Sequence, residues 1–275
     1  VGCALTRNIL LFVSFLSVGA PVLAQEVDMT RSGQPVYIES VPVDDERRRD
    51  NWVGQLGVGM NISPEFLGSG AHEFNLRTDV RITYKDTFFL ENNKIGAVLT
   101  SRRFLRAGVI ARLHGGRRDD LIHDNVADAD DVGDTVELGV FAGTSLYKLF
   151  LSAEAYWGVS GAHDGMSLEI EGGYLFELNS SFKLVPLIGI SFASDDYMQT
   201  YFGVASGHDS YAAYKPKGGA YEMHAELSLE QRLAKNWLLK GSVRFSKLKD
   251  SAFDSPFARE SRAQARAFAG VVWLF

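Results

Sequence analysis

The side chains of this 275-residue chain best suited to chemistry lie in polar stretches between segments of alternating apolar residues. His163-Asp164, His208-Asp209-Ser210 and Asp195-Asp196 each place a histidine or carboxylate beside a second polar group. A histidine polarised by a carboxylate can activate water or a serine. Neighbours in sequence seldom bring their side chains together, and the same residues serve turns and solvation, so no catalytic residue is assigned from them. Residues 119–134 hold Asp119, Asp120, Asp124, Asp128, Asp130, Asp131, Gly133 and Asp134. Clustered carboxylates of this kind chelate Ca²⁺ or share divalent ions with lipopolysaccharide phosphates. Their spacing departs from an EF-hand loop and the closing Glu is missing, so the stretch reads as a solvated acidic loop with no metal. The lone cysteine, Cys3, excludes a disulfide scaffold and a Cys-based zinc site. A net charge of −6 and a pI of about 5.6 speak against nucleic acid as a partner. No cofactor is expected.

The elements that must hold these groups begin with an address label. Arg7, the apolar run 9–16 and Val22-Leu23-Ala24 have the three-part form of a secretory signal peptide over residues 1–24. Residues 25–50 follow as a polar periplasmic extension, with Val36-Tyr37-Ile38 and the charged run 44–50, which includes Arg47-Arg48-Arg49. From residue 51 the pattern changes to period-2 alternation, the signature of strands with one apolar face. It recurs at 52–62, 74–84, 105–114, 135–144, 147–157, 166–176, 181–193, 220–232, 237–248 and 264–275, with a short pair at 87–91 and 95–101. Most segments run to about ten residues, the length a tilted strand needs to cross a bilayer.

Alternate connections are short (Lys85-Asp86, 102–104, Ser145-Leu146, 177–180, 233–236). Those between them are mostly long (63–73, 115–134, 158–165, 194–219, 249–263), with 92–94 tight. An outer-membrane barrel sorts its loops this way, with periplasmic turns and external loops. The expected fold is all-β: a transmembrane up-and-down antiparallel β-barrel over 51–275, of about 12 strands, or 10 if the short pair does not span. On the last strand Val271, Trp273 and the terminal Phe275 share the lipid-facing parity and resemble the assembly signal read by the barrel-insertion machinery; Phe268 falls on the interior parity. Outer-membrane lipid and lipopolysaccharide are the expected surroundings.

The polar parity of each strand assigns the lumen. Arg77, Arg81, Arg106, Arg112, Lys240, Arg244 and Arg266 make a basic wall; Glu137, Glu154, Glu169, Glu171, Glu222, Glu226 and Glu230 make an acidic wall opposite, with Asp79 and Lys148 as exceptions. Either the walls bound a wet pore with a transverse field, or they pair across a narrow lumen, with the loop 194–219 folding inward as a plug. The aromatic-rich stretch of Tyr197, Met198, Tyr201 and Phe202, followed by Tyr211 and Tyr214, belongs to a rim girdle or to a lid over the mouth.

The segment Ser194-Asp195-Asp196-Tyr197-Met198-Gln199-Thr200-Tyr201-Phe202-Gly203-Val204 resembles the most recognisable motif of the MipA/OmpV family. Gly57-Val58-Gly59, Ser63 to Gly70, Phe88 to Asn92, the acidic loop after Gly115 to Arg118, Asp250-Ser251 and Asp254-Ser255-Pro256 are similar too. The resemblance covers nearly all of 51–275. It implies an outer-membrane protein that binds a lytic transglycosylase and scaffolds it with a bifunctional murein synthase, and it brings no catalytic residues. Other members look like porins, stress-response proteins or adhesins. The first expectation is therefore a non-enzymatic scaffold for murein-processing enzymes in the outer membrane of a Gram-negative bacterium. A narrow porin-like channel with opposed lumen walls is second, and an outer-leaflet hydrolase third.

Overall fold

The computed structural model describes residues 52–102, 105–116, 132–208, 211–256, 258 and 261–275. The expected signal peptide, the expected extension 25–50 and most of the acidic loop 119–134 lie outside the described residues. One antiparallel sheet contains β1 (Trp52–Pro64), β2 (His72–Tyr84), β3 (Phe88–Glu91), β4 (Lys94–Arg102), β5 (Leu105–His114), β6 (Thr135–Leu146), β7 (Leu149–Ser160), β8 (Met166–Tyr174), β9 (Phe176–Glu177), β10 (Phe182–Ala193), β11 (Gly219–Ala234), β12 (Trp237–Leu248) and β13 (Ala263–Leu274). Each strand pairs with the next, β13 pairs with β1, and β10 pairs with both β8 and β11, so the sheet closes on itself. β9 continues β8 beyond Leu175 against the same partner, β10, which leaves twelve staves. Closure is what a bilayer requires of strands, because an open edge would leave backbone donors and acceptors unmet in hydrocarbon.

Alternation places the faces. Outward residues such as Leu56, Val58 and Met60 on β1, Val140 on β6 and Ile188 on β10 are exposed and apolar, the belt that faces lipid. Inward neighbours such as Gln55 and Asn61 are buried. Trp52, Tyr84, Tyr174, Phe176, Trp237 and Trp273 cluster at the strand ends beside the short turns, as an aromatic girdle at the inner rim does. Val271 and Trp273 are exposed, and Phe275 stacks on Trp273 at 5.2 Å while its backbone exchanges hydrogen bonds with Gly54.

Three boundaries differ from the sequence expectation, each for a backbone reason. β1 and β2 each extend outward, pairing Pro64 with His72, which shortens the first outer loop. Leu146 pairs with Leu149, so the turn is Tyr147-Lys148, with Tyr147 at φ 56°, rather than Ser145-Leu146. Lys148 therefore leaves the lumen and meets Glu177 at 3.0 Å on the inner rim. The short pair belongs to the wall, although β3 faces only Arg81 to Tyr84 of β2, which lowers the wall there.

The lipid-facing parity predicts that Val140→Arg, in the middle of β6, destabilises the barrel by about 2–4 kcal/mol. Val140→Leu leaves it unchanged. Urea unfolding in lipid vesicles measures both.

Candidate functional site: the occupied lumen

Three kinds of filling occupy the interior. On the β3–β10 side, from the inner rim to past mid-barrel, Phe89, Phe141, Phe150, Tyr156, Val185 and Leu187 pack with Ile110 into a buried apolar cluster. Leu238, Val272 and Leu274 do the same on β12 and β13. These residues stand on the interior parity, where polar side chains were expected. Their signal in the sequence is an apolar residue on both parities near each inner turn.

Charged side chains fill the middle, and they pair. Neighbouring strands supply Arg112–Glu137, Arg81–Glu91 at 2.6 Å, Arg244–Glu226 at 2.7 Å and Lys240–Glu230 at 3.3 Å. Other pairs link strands that are not neighbours: Lys94–Glu154 at 3.0 Å from β4 to β7, Lys240–Asp79 at 3.1 Å from β12 to β2, and Arg244–Glu171 at 3.4 Å from β12 to β8. Glu171 also meets His224 at 3.1 Å, and Gln55 donates to Asp79 at 2.7 Å. Glu91 went unread in the sequence because its short strand carries too few residues to show a period, and Lys94 was read into the turn 92–94 although it opens β4. Arg77 is buried in the same interior, whereas Arg106 reaches down to the carbonyl of Asp86 at the inner turn. The two walls thus interdigitate. Removing one member of such a pair strands a charge in a medium that solvates it poorly.

A helix closes the outer mouth. The loop after β10 forms α1 (Asp195–Phe202), capped by the Ser194 side chain on the amide of Tyr197, with Asp195 and Asp196 in the first turn where the helix dipole favours them. Asp195 also accepts from the amide of Gly218 at 2.5 Å, which ties both ends of the loop together. Tyr197, Met198 and Phe202 turn inward and are at most 2 % exposed. They pack on Ala193, Tyr221, Leu248 and, in the next outer loop, Ala252 of α2 (Asp250–Phe253) and Ala258. Gly165 lies against the backbone of Tyr197, where a Cβ would not fit. Tyr211 and Tyr214 pack instead on Phe66 and Val204. The segment carrying the family resemblance, including Gln199, Thr200, Tyr201 and Gly203, is therefore a lid and not a rim girdle.

Beneath the lid, Glu137 gathers Arg112, His163 Nε2 at 3.3 Å and His114 Nδ1 at 3.6 Å, and Tyr197 Oη lies 3.4 Å from His114 Nε2. Burial pushes the phenols of Tyr197 and Tyr201 up, so both remain neutral hydrogen-bonding groups. His163 turns to Glu137 while Asp164 stays exposed, so the two do not form a dyad. His208 rests on Tyr211, and Asp209 and Ser210 lie outside the described residues. The ligand atoms of Glu169, Glu171 and His224 lie within 4.8 Å of one another, the donor set best placed for a cation, but the guanidinium of Arg244 already supplies positive charge to Glu171. Between lid and ion pairs, a polar cavity of about 40 Å³ remains. A water needs roughly 10–15 Å³ on this measure, so this cavity has room for a few waters.

The sequence profile of the MltA-interacting protein MipA family matches residues 56–275. Among curated proteins none matches the chain. Solved structures that are similar include the NanC porin, at 11% identity and TM-score 0.44, over 79% of this chain and 98% of that one. The translocator domain of the autotransporter NalP from Neisseria meningitidis has 10% identity and TM-score 0.42, over 98% of both chains. Outer-membrane OmpT of Vibrio cholerae has 9% identity and TM-score 0.38, over 82% of this chain and 97% of that one.

Two outcomes follow from this packing. Glu137→Gln leaves Arg112 without its counter-charge and costs about 3–5 kcal/mol of stability, read from the urea midpoint in detergent. Met198→Asp buries a carboxylate under the lid and dislodges α1, so conductance in planar bilayers rises above that of the unsubstituted protein.

Proposed function

The chain belongs to the MltA-interacting protein MipA family, and from that premise we propose that its outer-membrane barrel is a non-enzymatic scaffold. It recruits a lytic transglycosylase, and with it a murein synthase, at the periplasmic face. The family's name supplies the first partner. The observation that carries the reading is the occupied lumen: among the described residues, ion pairs cross its middle and α1 is seated in its outer mouth, so what the protein offers to others is its loops and turns. The murein enzymes work on the inner side, where the short turns lie and where β1 begins. Val36-Tyr37-Ile38 has the form of a strand that adds to a partner's sheet edge, and Arg47-Arg48-Arg49 suits an acidic surface.

A narrow channel is the second reading, favoured by the polar cavity that remains beneath α1. It requires that helix to leave its seat, which separates it from the scaffold reading.

Affinity capture from detergent-solubilised envelopes, with the full protein as bait, tests the scaffold. A lytic transglycosylase is enriched in the eluate, and deletion of 25–50 lowers the yield to that of a bait-free control while the barrel still assembles. Capture of neither murein enzyme by the intact bait overturns the reading.

A further inference from the structure

Among the buried ion pairs, two charges lining the cavity under α1 stand apart. Arg266 on β13 is 4% exposed, and its Nε and Nη2 have no hydrogen-bond partner among the described residues. Glu222 on β11 is 7% exposed, and its Oε1 has none either. Glu222 and Arg266 line the same cavity, yet the two form no ion pair. The other arginines of this cavity are committed elsewhere, Arg112 to Glu137 and Arg244 to Glu226 and Glu171. Buried charged groups rarely lack partners, and one cation and one anion on a shared cavity call for a guest that carries both an acceptor and a donor.

We infer that this cavity binds a small zwitterion, the smallest α-amino acids being the class that fits. The carboxylate of such a molecule meets the guanidinium of Arg266 where that residue lines the cavity, a pairing that guanidinium chemistry favours. Its ammonium group takes Glu222, and Ser167, Ser191, Tyr197 and Tyr221 line the remainder. The size agrees: a cavity of about 40 Å³ holds roughly three waters, close to the volume of glycine. Glu222 and Glu169 in the lining disfavour a simple anion, and Arg266 with Arg112 disfavours a simple cation. The site goes beyond the scaffold reading and stands whether or not the barrel conducts.

Saturation-transfer NMR on the purified full protein in detergent micelles tests it, with glycine, acetate and methylammonium as probes. Glycine binds, and the two half-ligands bind at least about tenfold more weakly, since each forfeits one charge-assisted contact. Arg266→Gln and Glu222→Gln each weaken glycine by a similar factor. Ser191→Leu, which fills the cavity and leaves both charges in place, abolishes binding, and the heat-dependent gel mobility of each variant reports that the barrel has formed. Three results overturn the inference. One is no glycine signal from the unsubstituted protein, meaning that water alone bridges the pair. Another is acetate binding as well as glycine with Glu222→Gln without effect, meaning an anion pocket. The last is glycine binding that survives all three substitutions.

Discussion

A charge inside a barrel of twelve staves has little solvent to screen it, so it must find a counter-charge on the wall beside it or the wall facing it. The interior follows this constraint. Arg112 and Glu137 pair along one seam, while Lys94–Glu154, Lys240–Asp79 and Arg244–Glu171 reach between strands that never touch through their backbones. Backbone hydrogen bonds close the sheet as a ring, and these side chains brace the ring from within. A wider barrel would leave the same groups hydrated and apart.

The lid depends on that bracing. α1 seats Tyr197, Met198 and Phe202 on a floor formed by Tyr221, Leu248 and Ala252, and His114 touches Tyr197 from the layer below. The segment resembling the family motif is thus a packing element. Ser194 caps the helix, the two aspartates settle its first turn, and the aromatic residues fill the mouth. Once they do, the outward display of the protein consists of loops on one side and turns on the other. That division is in keeping with the scaffold proposed for it.

Alternation over about ten residues, loops sorted by length and an aromatic last strand were enough to read a membrane barrel and its lipid face. Period-2 geometry leaves a side chain only two faces to choose from, and the bilayer decides which face is apolar. Reading stopped where the period ran short. β3 has four residues, so Glu91 went unnoticed, Lys94 was read into the turn 92–94 although it opens β4, and Tyr147 at positive φ moved a turn by two positions and took Lys148 out of the lumen. The apolar filling near the inner rim was hidden for a related reason. Phe141, Phe150 and Leu187 are apolar on the interior parity, and alternation alone assigns such positions no role.

The sequence by itself determined the architecture and the lipid face, because each is a local property of a strand and its solvent. It left open whether the two walls bound a wet pore or meet, since that turns on distances between residues far apart in the chain. Only the closed ring sets those distances. It brings Lys240 to Asp79 across 161 positions of sequence, turns His163 from its neighbour Asp164 to Glu137, and leaves Arg266 and Glu222 facing one cavity under a helix that no strand period could announce.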